Sequence, residues 1–143
     1  MARWYARIRT EIGRDDDFRS LSPTAQWVYL RLLCEQKLTL VGSLDIKRSA
    51  WRRWASTSFD LDGALDELKS ARFIALDDDT EELAIRTFVT HDDVLKNRNL
   101  GRGMWSAWRA IESSELREFV LENLPDEAWE PRFDPPTDVP FPC

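Results

Sequence analysis

The chain has 143 residues, which suits one domain with an appendage, and its 43% hydrophobic content with seven Trp and seven Phe can fill a core. The formal net charge of −6 is unevenly laid out: residues 1–111 hold 18 Lys or Arg against 17 Asp or Glu, whereas residues 112–143 hold 2 against 9. Two cysteines exclude a disulfide framework, no apolar run approaches a membrane span, and MARWYARIRTEI lacks the unbroken apolar stretch of a signal peptide, so a reducing cytoplasm is expected.

WYARIR (Trp4–Arg9) alternates rings or aliphatics with charge and predicts a short strand. Ser22-Pro23 is a helix start, because serine caps the free amides and proline is tolerated at the first position. The helix runs through AQWVYLRLLCEQ, with Ala25, Tyr29, Leu32 and Leu33 at helical spacing. Cys34 in that helix is expected to be a buried, inert thiol. Gly42 breaks the pattern, and Ser43–Ile46 reads as a short strand or an extended cap. A second helix follows through KRSAWRRWA, with its tryptophans and Trp27 assigned to the core. A third starts near Asp60 and buries Leu61, Ala64, Leu65, Leu68 and Ala71.

Phe73–Leu76 and Leu83–Val89 read as two strands joined by the turn residues Asp77–Thr80. Strand, three helices and a β-hairpin wing make an α+β, mostly α fold, the winged helix-turn-helix, over residues 1–92. HDDVLKNRNLGRG is polar and glycine-bearing, so residues 93–103 read as a loop or linker. One or two short C-terminal helices are expected over residues 104–124, carrying Trp105, Trp108 and Ile111, then Leu116, Phe119, Val120 and Leu124. Residues 125–143, proline-rich and acidic, read as an extended or disordered tail.

The combination of Trp4, LSPTAQWVYLRLL, VGSLDI, ALDEL, ARFI, TEELAIRTFVTHD and KN resembles small helix-turn-helix proteins of actinobacterial phages. More loosely, it resembles the N-terminal domain of phage replisome organisers and DnaD-type replication proteins. There a winged helix ends in a strand followed by an aromatic, a histidine and polar residues, matched here by Phe88, Val89, His91 and Asp92. The resemblance covers roughly residues 3–100. It implies a phage or prophage gene expressed in a bacterial cytoplasm, with a role in replication or gene control. In the DnaD-type relatives the winged helix often serves self-association. The region after residue 100 does not match the longer C-terminal domains of replisome organisers.

Candidate DNA-backbone contacts are Lys47, Arg48, Arg52 and Arg53 on the second helix, joined by Lys96, Arg98 and Arg102 if the following loop folds back beside it. On the third helix, the usual reading element, Asp62 and Asp66 oppose phosphates and leave Lys69 and Ser70 as base-edge candidates. The acidic turn Asp77, Asp78 and Asp79 is either a solubilising turn or a contact for a basic partner. Trp105 and Trp108 either dock their helix or form a partner surface. His91 is the single histidine and has no metal-ligand companion. No phosphate loop or nucleophile–base set is present, so neither an enzyme, a cofactor, a metal nor a small-molecule substrate is expected.

Two functions follow from this pattern. One is a DNA-binding protein, a dimer on double-stranded DNA. The other is a protein–protein module that self-associates or binds a host or phage protein through its acidic face.

Overall fold

The computed structural model describes residues 3–139. The chain is mostly helical around one small antiparallel sheet. A 3₁₀ turn (Thr10–Arg14) and the one-turn helix α1 (Asp16–Arg19) lead to α2 (Pro23–Leu33). The cap predicted at Ser22 forms: its hydroxyl oxygen accepts the Ala25 amide at 3.2 Å. α4 (Leu61–Ser70) starts at Asp60, whose carboxylate accepts the Gly63 amide at 2.9 Å. Its Glu67 reaches back to accept the Ser22 amide at 2.6 Å and the Ser22 hydroxyl at 2.8 Å, so the start of α2 is bolted to the helix it packs against.

The sheet order is β1-β3-β2, from β1 (Ser43–Asp45), β2 (Ile74–Asp77) and β3 (Glu82–Ile85). Leu83 stands at the centre, in register with Leu44 on one side and Leu76 on the other. Gly42 turns the chain into β1 at φ +82°, and a Cβ there would come within 2.5 Å of Phe88, so conformation and close approach both require glycine. Between β1 and α4 lies α3 (Arg48–Trp51). It is shorter than the expected span through Ala55 because the Arg53 and Trp54 amides tighten onto the Ala50 and Trp51 carbonyls. Trp51 is buried, and Trp27 and Trp54 are half-buried against the core.

Several expectations are overturned. Residues 4–9 form no strand. The Arg3 guanidinium donates to the Leu33 carbonyl at 2.8 Å and lies over the Phe88 ring, and Arg7 pairs with Asp93 at 2.9 Å. These side-chain tethers replace a strand ladder and leave Trp4 85%, Tyr5 72% and Ile8 47% exposed. The return strand stops at Ile85 instead of Val89, because Thr87 adopts φ +64° and turns the chain into α5 (Phe88–His91). Cys34 is exposed, since it caps the C-terminus of α2 instead of lying on its inner face.

The segment read as a linker holds a 3₁₀ turn (Val94–Lys96) and the first turns of α6 (Arg98–Ala110), capped by the Asn97 side chain. Glycine at 101 marks close packing here, not a loop: a Cβ on Gly101 would overlap the Phe133 ring. α7 (Ser114–Glu122), capped by Ser113, lies on β2 and β3. The described part of the expected disordered tail is packed on α6. It makes two 3₁₀ turns (Asp126–Trp129 and Pro131–Phe133) and buries Ala128 and Phe133, and the Trp105 indole donates to the Ala128 carbonyl at 2.9 Å. Residues 140–143 lie outside the described residues. One apolar cluster runs from Phe18 to Phe133, so the helical appendage shares the core of the preceding region.

Phe133→Ala is expected to lower stability by about 3–5 kcal/mol, the usual cost of emptying a buried phenylalanine site. A urea-unfolding curve measures it. A change below about 0.5 kcal/mol, the range of surface substitutions, shows that the tail is not docked in solution.

Candidate nucleic-acid interface

The cations named from sequence fall into two sets. On α3, Arg48 donates from Nε to Asp62 and from Nη1 to Asp78, both at 3.0 Å, and Arg52 donates to the other Asp62 oxygen at 2.9 Å. Four charges thus join α3, the first turn of α4 and the turn between β2 and β3. Burial works against the Arg48 charge, but hydrogen bonds to Asp62 and Asp78 outweigh it and hold the guanidinium above its ordinary range. Hydrogen bonds from Arg52, then Arg48, hold the Asp62 carboxyl below the usual aspartate range. Exposed pairs of this kind contribute about 0.2–1 kcal/mol each, so their main effect is to set the relative orientation of the three elements. Lys47 and Arg53 flank the network, exposed and without an ion pair among the described residues.

The second set does not join the first through any ion pair or side-chain hydrogen bond among the described residues. Lys96 pairs with Asp93 at 3.4 Å, Arg102 donates to the Arg132 carbonyl at 3.2 Å, and Arg109 donates to the Asp134 carbonyl at 3.0 Å. Arg98 is exposed in the first turn of α6. The guanidiniums of Arg102 and Arg109 are therefore occupied in holding the tail. Lys69 and Ser70 stand exposed in the last turn of α4, and Asp66 is exposed on the same helix.

The acidic turn is divided in role. Asp77 accepts the Asp79 amide at 2.9 Å and the Thr80 amide at 3.3 Å, and the Ser113 hydroxyl contributes most to keeping its carboxyl below the usual range. Asp78 is the partner of Arg48, and Asp79 is exposed. Trp105 and Trp108 leave the list of partner-surface residues. They are 0% and 7% exposed, because both rings face the core of the α6–α7–tail unit, and the Trp108 indole donates to the Arg117 carbonyl at 3.1 Å.

Sequence reasoning missed a cleft of about 300 Å³ between the N-terminal segment, α2 and α5. Its floor includes Phe18, Tyr29, Phe73 and Phe88, and its rim includes Arg9, Arg86, His91 and Asp92. Burial pushes the Tyr29 hydroxyl up to about 12. Burial, then the charges of Arg9 and Arg86, push His91 below its ordinary value and keep it neutral near pH 7. The Thr87 hydroxyl lies 3.5 Å from His91 Nδ1, and Thr87 is a β-branched residue in the left-handed region, a conformation that costs on the order of 1–3 kcal/mol. The available signal was the density of Arg in RIR and IRTF around aromatic anchors, but nothing in the sequence shows that these segments meet.

Among the described residues no helix is long and apolar enough to cross a membrane. Comparison with known protein families, with curated proteins and with solved structures finds no match.

The lowered Asp62 value means that its pairing stabilises the fold above the ordinary aspartate range, and that this contribution is lost as pH falls through the lowered value. An NMR titration of side-chain carboxyls is expected to place Asp62 below that range, and Arg52→Ala to move it up. An unshifted Asp62 in both proteins shows that the network is open in solution.

Proposed function

We propose that this chain is a phage-encoded DNA-binding protein of winged-helix type, acting in replication initiation or transcriptional control. The observation that carries the reading is topological. α2, β1, α3, α4, β2 and β3 follow one another in chain order, and β1 pairs with the outgoing strand of the hairpin to give β1-β3-β2. This is the element order of a winged helix, in which α4 takes the place of the reading helix and the β2–β3 turn that of the wing. Phage origin and the replication or control role rest on the sequence resemblance.

The DNA-facing corner is then the junction of α3, α4 and the hairpin turn. Asp62 and Asp78 act there as internal counter-ions, and a phosphate has to displace them to reach Arg48 or Arg52. Lys47 and Arg53 are open to phosphate at once. One module of this size and charge offers few phosphate contacts, which favours a dimer on double-stranded DNA.

A second reading, a protein–protein module, is favoured by exposed Asp66 and Asp79 and by the exposed rings of Trp4 and Tyr5. It covers self-association and the capture of a basic host or phage protein.

Fluorescence anisotropy of a labelled mixed-sequence duplex at low and near-physiological salt tests the first reading. Lys47→Ala with Arg53→Ala is expected to weaken binding and to flatten the log–log salt slope by roughly two, about one per lost phosphate contact. Asp62→Asn with Asp78→Asn is expected to strengthen binding and steepen the slope. If neither the wild type nor the Asn variant binds at low salt, the duplex reading fails and the protein-module reading takes its place.

A further inference from the structure

The cleft between the N-terminal segment, α2 and α5 has a built character that the duplex reading does not use. Its volume, about 300 Å³, sits at the lower edge of the range for small-ligand sites, room for one compact unit. Phe18, Tyr29 and Phe73 meet edge to face, with centroids 5.4–6.2 Å apart, and supply an apolar aromatic floor. Two guanidiniums stand at the rim without a carboxylate partner among the described residues. Arg9 is exposed, and Arg86 lies over the Phe73 ring at 5.4 Å. The remaining cations of the segment are engaged, Arg3 with Asp92 and Arg7 with Asp93.

The lining is mixed, because Glu11, Asp15, Asp92 and His91 share it with the arginines. A plain inorganic anion would leave the aromatic floor unused, and a plain hydrocarbon would strand the polar rim. A nucleotide matches both parts: an aromatic base with its own donors and acceptors, and one phosphate. Just before Arg7, Trp4 and Tyr5 are 85% and 72% exposed on a chain segment with no regular structure. Exposed rings flanked by arginines suit stacking on unpaired bases.

We propose that the cleft takes one unpaired nucleotide of single-stranded DNA, its base on the aromatic floor, its phosphate between Arg9 and Arg86, and the neighbouring base stacked on Trp4 or Tyr5. The site is separate from the duplex-facing corner of α3 and α4 and does not depend on it. A protein able to hold both a duplex and an unpaired strand suits a junction where the duplex opens.

The test is anisotropy of a short 5′-labelled oligothymidylate, with free thymidine monophosphate as competitor. Trp4→Ala with Tyr5→Ala removes two exposed side chains and leaves the core intact. It is expected to weaken oligonucleotide binding by roughly tenfold or more. Arg9→Glu is expected to weaken it further at low salt than at high salt. Free thymidine monophosphate is expected to displace the oligonucleotide only at far higher concentration. The proposal is overturned by any of three results: no oligonucleotide binding at low salt, wild-type affinity in the Trp4/Tyr5 variant, or competition by the mononucleotide as strong as by the oligonucleotide. The last assigns the cleft to a free nucleotide. If the same variant converts a dimer to a monomer in sedimentation and binds no single strand in either form, the exposed rings belong to a second copy of the chain. Failure of the duplex reading shows instead as lost duplex binding with single-strand binding intact.

Discussion

The carboxylate of Glu82 ties the molecule together. It is nine-tenths buried at the start of β3 and accepts the backbone amides of Glu112 and Ser113, at 3.0 and 2.8 Å. A buried acid is costly unless such partners satisfy it, and the amides just ahead of a helix are suited to a negative charge. The bond fixes the junction of α6 and α7 against the hairpin, and α7 then covers the sheet over β2 and β3. β3 is buried along its whole length as a result. The hairpin is therefore a structural strand pair, buried along β3 and at alternate residues of β2, with its turn facing outward at Asp78 and Asp79.

The charges around that turn are arranged as neighbours of opposite sign. Arg48 bridges α4 and the hairpin turn, and Arg52 doubles the link to Asp62. The same residues that make the face look unsuited to a polyanion are thus the ones that orient it. Removing the carboxylates exposes two arginines, and removing the arginines exposes two acids. The balance of charge on this face can therefore be shifted in either direction by small changes.

Local signals were legible where one side chain decides the outcome. Ser22-Pro23 and Asp60 each cap the helix that follows, and the Asp77 turn joins the two strands read from alternation. The failures share a different cause, which is dependence on distant neighbours. WYARIR has the alternation of a strand, but Arg3 and Arg7 bind a carbonyl and a carboxylate far along the chain, and the segment pairs with neither edge of the sheet. Glycine at 101 reads as a loop until Phe133, distant in sequence, needs the space that a Cβ would fill. The proline-rich tail reads as solvated because its buried anchors, among them Ala128 and Phe133, are isolated in sequence and meet α6 only in the fold. The basic residues of the candidate site were found, but their partners were not, since Arg48 and Asp78 are thirty residues apart.

The N-terminal segment carries the same lesson into function. Its arginines at 3 and 7 are the tethers, and its rings at 4 and 5 are left outside. Pinning by guanidinium keeps the backbone in place while the aromatic faces stay open. Isolated exposed rings are ordinary on protein surfaces. Here two adjacent ones lie on a segment fixed on both sides by Arg3 and Arg7, and their burial against another surface would be favourable.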